Sequence, residues 1–137
     1  MTTDNSIISI NPEQLVATLP ALEYIEDNSA KVLAMDGVAL SQIAQTHGTP
    51  CYVYSHADIL AKYQAYDDSF ADIAHQICFA VKANSNLAVL NELAKIGAGF
   101  DIVTGGELAR ALKAGAEPSK IVFSGLGKTA HDIETAL

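Results

Sequence analysis

Lys82 and Asp101 are the side chains whose types and spacing could do chemistry. Lys82 closes the apolar run Ile77-Cys78-Phe79-Ala80-Val81. Side chains alternate along a strand, so Ile77, Phe79 and Val81 share a bulky face, and Cys78, Ala80 and Lys82 share a narrow one. A lysine on the narrow face, at the C-terminal end of a strand, sits where parallel α/β folds keep their reactive groups. The competing reading is a lysine that ends a strand and snorkels to water, since unpaired lysine is seldom buried. Asp101 repeats the pattern. Phe100 and Ile102 point one way; Gly99, Asp101 and Val103 point the other. On two successive parallel strands, Lys82 and Asp101 would share a face. A carboxylate beside the amine holds it charged, while burial pushes it toward neutral, and tuning between the two makes an amine nucleophile. A structural ion pair, or a hydrogen bond from the next loop to Asp101, would explain the same pattern.

Thr104-Gly105-Gly106-Glu107 follows the Asp101 strand. Two glycines before a helix free backbone N–H groups for an anion or a close approach. Thr104 and Glu107 also fit a capping box, and the two roles are compatible. Gly127-Lys128-Thr129 has the tail of a phosphate-binding loop, but Val122 stands where its first glycine belongs. Gly97-Ala98-Gly99 begins like a dinucleotide fingerprint, yet it precedes a strand instead of a helix. Neither motif is retained. His47, His56, His75 and His131 are scattered and suit surface or helix-end positions. Tyr52, Tyr54, Tyr63 and Tyr66 read as core or interface aromatics. Cys51 and Cys78 show neither CxxC nor a histidine at ligand spacing, so they read as buried thiols in a reducing compartment, with no metal site.

The elements that would position these groups alternate. Residues 1–20 form a lead-in with a short helix near residues 12–15. Leu22–Ile25 and Lys31–Met35 suit a hairpin, and Val38–His47 a helix stopped by Gly48. Strands are expected at Cys51–Tyr54, Gln76–Val81, Gly99–Val103 and Lys120–Ser124. Helices are expected from Ser55 to Phe70, Asn86 to Ile96, Gly105 to Ala114, and from Thr129 onward. Strands alternating with helices of about ten residues imply right-handed βαβ units and a parallel sheet. The expected organisation is a lead-in with a β-containing segment over 1–47, then a partial barrel over 48–137. The helical pattern at the end has no stop signal, and a (β/α)8 barrel takes about 250 residues. The pattern therefore reads as cut short.

Composition narrows the function classes. The chain has 137 residues, is 50% hydrophobic, and carries 16 acidic against 8 basic residues. No basic cluster exists, which argues against nucleic acid as a partner. No secretory leader and no membrane-length apolar run is present, so the cytoplasm is the expected compartment.

Four blocks in order carry a family resemblance: Gly48-Thr49-Pro50-Cys51-Tyr52-Val53-Tyr54, Phe79 to Asn86, Gly97 to Leu108, and Ile121-Val122-Phe123-Ser124-Gly125. They resemble the opening blocks of the diaminopimelate decarboxylases, pyridoxal-phosphate enzymes built like alanine racemase. The resemblance implies an α/β fold, the first part of a (β/α)8 TIM-type barrel. It implies that Lys82 forms the Schiff base with pyridoxal 5'-phosphate and that Asp101, Glu107 and Ser124 lie near the cofactor. Ser124 stands where many relatives carry histidine. The activity implied is decarboxylation of meso-2,6-diaminopimelate to L-lysine and CO2, by a homodimer when full length, with this chain inactive and poorly stable alone. Other enzymes of the fold act on ornithine, arginine or carboxynorspermidine, or racemise amino acids. A non-catalytic pyridoxal-phosphate-binding module is the reading from a different class.

Overall fold

The structure, a computed structural model, describes Asn11, Val16 and residues 19–137. The short helix expected over residues 12–15 lies outside them. The chain divides into two compact units between Asp58 and Ile59.

The first unit is built on two tight turns. Strand β1 (Leu22–Asp27) pairs antiparallel with β2 (Ala30–Met35), from Leu22 opposite Met35 to Asp27 opposite Ala30. Asn28 and Ser29 join them at φ +48° and +66°, the left-handed geometry that matches strand twist in a two-residue hairpin. Asp36 and Gly37 repeat the device at φ +49° and +76°, and they return the chain as β3 (Val38–Ala39). The expected helix from Val38 therefore begins later, as α1 (Leu40–His47), because Val38 and Ala39 pair with Met35 and Ala34. Gly48 ends α1 at φ +79°.

Residues 51–55 form neither strand nor helix, which corrects the expected strand at Cys51–Tyr54. Tyr-Val-Tyr has strand propensity, but the backbone takes no sheet partner there. Tyr52 is 91% exposed, so it is not a core aromatic. Tyr54 and Tyr66 are exposed too, and of the four tyrosines Tyr63 packs on a core. Cys51 is exposed and Cys78 half-buried, which corrects the expectation of two buried thiols; both are free. Ser55 caps α2 (His56–Ser69) by accepting the Asp58 N–H at 2.9 Å. Its hydroxyl donates at 2.7 Å to Asp36, which also accepts the Ala57 N–H at 3.2 Å. These contacts, Ser55 foremost, hold the Asp36 carboxyl below its ordinary range.

The second unit is a parallel sheet backed by helices. Its strands are β4 (Cys78–Ala80), β5 (Gly99–Ile102) and β6 (Ile121–Phe123), in that order. Helices α3 (Leu87–Lys95), α4 (Gly105–Lys113) and α5 (Ala130–Ala136) follow them in turn. The alternation expected from sequence holds. Val81, Phe100 and Ile102 are fully buried, with Leu90 and Leu93 of α3 and Leu108 and Ala111 of α4. Phe79, Ile121 and Phe123 join the same core from the flanking strands. The opposite face carries Cys78, Ala80, Gly99, Asp101 and Val122. Gly99 is required there: a Cβ would lie 2.5 Å from the Lys120 carbonyl oxygen and 2.8 Å from Cys78 Sγ.

Candidate functional site

The reactive-type side chains gather where the three parallel strands end. Ala80 lies opposite Asp101, and Asp101 opposite Val122. β4 stops at Ala80, earlier than expected, and the backbone tightens into a 3-10 turn over Val81–Ala83. Val81 is buried in the core, and Lys82 is exposed. Lys82 thus lies in the turn just past the strand and not on the strand itself, and it is exposed and not buried. Two asparagines fix the loop that follows. Asn84 Oδ1 accepts the Asn86 N–H at 3.0 Å, and Asn86 caps α3 by accepting the Ala88 N–H at 2.8 Å. Arg110 Nη1 reaches over from α4 to donate to the Ser85 carbonyl at 3.1 Å.

Asp101 and Lys82 do not form an ion pair. Asp101 instead accepts the Ser124 hydroxyl at 2.5 Å, and Ser124 N–H extends the sheet ladder to the Ile102 carbonyl at 2.9 Å. Among the described residues, the Lys82 amine has no hydrogen-bond or ion-pair partner. The arrangement is an uncommitted amine in the turn that follows β4 and, on the adjacent strand β5, a carboxylate whose orientation a neighbouring hydroxyl fixes. Small residues, Ala80 and Gly99, flank it on the same face.

Glu107 closes the turn after β5. Its carboxylate accepts the Val103 N–H at 2.6 Å, while its own N–H goes to Thr104 Oγ1 at 3.1 Å. The reach is one residue further back than in a standard capping box, but the effect on the helix end is the same. Asp132 is a site residue that the sequence did not flag. It accepts the Thr129 N–H and hydroxyl, at 2.9 and 2.7 Å, and the Gly105 N–H at 3.2 Å. It therefore ties the loop after β6 to the start of α4. Thr129 and Asp132 also form a capping box on α5, and the T-x-x-D spacing was a readable signal for it. The Thr129 hydrogen bonds hold the Asp132 carboxyl below its ordinary range. A Cβ on Gly105 would stand 2.7 Å from Asp132 Oδ1, so the second loop needs that glycine.

A separate cleft of about 260 Å³ lies against the α4 and α5 side of the sheet. Ile102, Leu108, Leu112, Ile121 and Phe123 line much of it, and no titratable side chain does. It offers no group for chemistry, so the strand ends are the better candidate.

An uncommitted amine and an oriented carboxylate suit an aldehyde cofactor, because condensation with a carbonyl needs an amine that nothing else occupies. The comparisons agree. Residues 56–137 match the model of the pyridoxal-dependent decarboxylase family, in its pyridoxal binding domain. Diaminopimelate decarboxylase of Pseudomonas aeruginosa is 62% identical over 105 residues, which cover 77% of this chain and 25% of that protein. A crystal structure from Aquifex aeolicus aligns with a TM-score of 0.77 at 46% identity, over 86% of this chain and 28% of that one. Diaminopimelate decarboxylase from Helicobacter pylori, solved with L-lysine, aligns with a TM-score of 0.68 at 46% identity, over 71% of this chain and 25% of that one. The chain spans about a quarter of the length of the curated Pseudomonas relative. The fold is that of the N-terminal portion of these barrel enzymes. By the match of more than half its residues, the chain belongs to the pyridoxal-dependent decarboxylase family.

Proposed function

We propose that the protein carrying this chain decarboxylates meso-2,6-diaminopimelate to L-lysine and CO2, and that this chain supplies the amine that anchors pyridoxal 5'-phosphate. The observation that carries the reading is the uncommitted amine of Lys82 in the turn after β4, with the Ser124-oriented Asp101 on the adjacent strand, in a chain 62% identical over 105 residues to a diaminopimelate decarboxylase. When bound, pyridoxal phosphate supplies an electron sink for the pair left on the α-carbon as the carboxylate departs.

The chain's own residues divide the remaining work. Lys82 would hold the cofactor through its aldehyde and would yield that place to the substrate amine. Asp101, fixed by Ser124, presents a carboxylate on the same side of the sheet. Glu107 keeps the turn after β5 closed and lines the cofactor's surroundings through that turn. Ala80, opposite Asp101, adds little bulk to that face of the sheet. A proton replaces the departed carboxylate, so the products are L-lysine and CO2.

The lysine-bound Helicobacter relative supports a small amino acid as the ligand class. The same reading makes the full-length protein a homodimer in the cytoplasm. Among the described residues, no helix is long and apolar enough to cross a membrane.

A chimera tests the function. This chain replaces the matching quarter of the Pseudomonas enzyme, and L-lysine release from meso-diaminopimelate is followed by chromatography. The expected result is L-lysine with Lys82 in place and none with Lys82→Ala. A folded, cofactor-loaded chimera that releases no L-lysine would overturn the proposal.

A further inference from the structure

We infer that Lys128 is a positioning residue for this site: it pins the loop after β6 so that Ser124 holds the Asp101 carboxylate. The inference deepens the cofactor reading of Lys82 and Asp101 and rests on it for its functional consequence.

Lys128 Nζ folds back onto the loop it belongs to. It donates to the Ser124 carbonyl at 3.0 Å and to the Gly125 carbonyl at 2.6 Å. It also stands 5.1 Å from the centre of the Phe123 ring, within range of a cation–π contact. Ammonium-to-carbonyl bonds are charge-assisted and stronger than neutral ones. One side chain therefore fixes the backbone of two consecutive residues and rests on the ring of a third, which is itself packed on the core.

Those residues are the ones that touch the site. Ser124, the first pinned residue, is the donor to Asp101. Gly125, the second, adopts φ +89°, and a Cβ there would lie 3.2 Å from Val103 Cβ. Glycine at 125 thus lets the pinned loop pass close to Val103, just after the strand that carries Asp101. Release of the Lys128 contacts leaves Ser124 held on its N–H side alone, by the bond to the Ile102 carbonyl, so its carbonyl and with it the hydroxyl can shift. Lys128 sits in the Gly127-Lys128-Thr129 stretch that resembles a phosphate-loop tail. Here the lysine binds carbonyls of its own loop, while Thr129 starts the capping box of α5.

The experiment uses the chimera with the Pseudomonas enzyme, in which this chain has the rest of its barrel, and two readouts. The first is the side-chain carboxyl 13C resonance of Asp101, in wild type, Lys128→Met, Ser124→Ala and the double variant. The second is the rate at which pyridoxal phosphate and borohydride label Lys82, mapped by peptide mass spectrometry. Lys128→Met is expected to move the Asp101 resonance in the same direction as Ser124→Ala, and the double variant to move it no further than Ser124→Ala alone. Lys82 labelling is expected to slow in all three. An Asp101 resonance unchanged by Lys128→Met overturns the inference, and so do shifts that simply add. Lys128→Gln, shorter and uncharged, is judged by the same criteria should the methionine variant lose its helical circular dichroism. If Asp101 responds but wild-type Lys82 is not labelled, the positioning role stands and the cofactor reading falls.

Discussion

The two faces of the parallel sheet make opposite demands, and a pair of truncations measures the difference. Phe100 is fully buried at the centre of β5, among Val81, Leu90 and Ile102. Val122 lies on β6 with its side chain on the Asp101 side of the sheet and is 49% exposed. Phe100→Ala removes a ring from a closed core, which costs about 3–5 kcal/mol. Val122→Ala removes about two methylene equivalents, worth roughly 1.6 kcal/mol when fully buried. Half exposure reduces that to about 0.8 kcal/mol, so the core truncation should cost at least roughly three times more. The assay is urea unfolding of the chain followed by circular dichroism, with the slope checked for constancy before midpoints are compared. A domain is stable by only about 5–15 kcal/mol, so Phe100→Ala can abolish folding outright. Phe100→Leu then keeps the comparison measurable, and Val122→Ala should still retain the larger share of wild-type stability. A cost for Val122→Ala equal to that of the Phe100 variant would refute the facing of the strands, and with it the placement of Asp101 on the open side.

Two further predictions concern pH. Both ring nitrogens of His75 meet acceptors, Nδ1 the Ile73 carbonyl and Nε2 the Asp67 carboxylate, each at 2.9 Å. The doubly protonated ring satisfies both, and these contacts, Ile73 first, raise its pKa. A raised value means stability that is fully present below the unfolded pKa of about 6.5 and is lost as pH rises through the folded one. The melting-temperature gap between wild type and His75→Gln should therefore be wide at pH 5.5 and narrow at pH 9, and an unchanging gap would contradict this. Asp132 has the opposite sign. Its lowered pKa gives stability that is present above the unfolded value of about 3.9 and lost as pH falls through the folded one. Asp132→Asn should flatten the acid limb of the unfolding curve below about pH 4, read by circular dichroism.

Local chemistry and alternation made much of the second unit legible. The Gly99-Phe100-Asp101-Ile102 pattern predicted both the buried pair and the facing of Asp101. Ser55 and Gly48 marked a helix start and a helix stop correctly. What escaped the sequence depended on partners distant in the chain. Tyr52-Val53-Tyr54 has the residues of a strand but no edge to join. Val38 and Ala39 were drawn from a helix into β3 by pairing with β2, although Asp36-Gly37 was a hairpin signal. The Ser124 hydroxyl, and not Lys82, satisfies Asp101, a choice that register and loop geometry settle. Asp132 reaches back to Gly105, and no local pattern announces that contact.

The central claim is that Lys82 is the amine that takes the cofactor. The chain carries six other lysines, Lys31, Lys62, Lys95, Lys113, Lys120 and Lys128, which serve as internal controls. The chain is mixed with a limiting amount of pyridoxal phosphate and reduced with borohydride, and the labelled peptides are quantified by mass spectrometry. Predominant labelling of Lys82, lost in Lys82→Ala without a rise elsewhere, is the predicted result. Label spread evenly over the seven lysines, or concentrated on another one, would contradict the account.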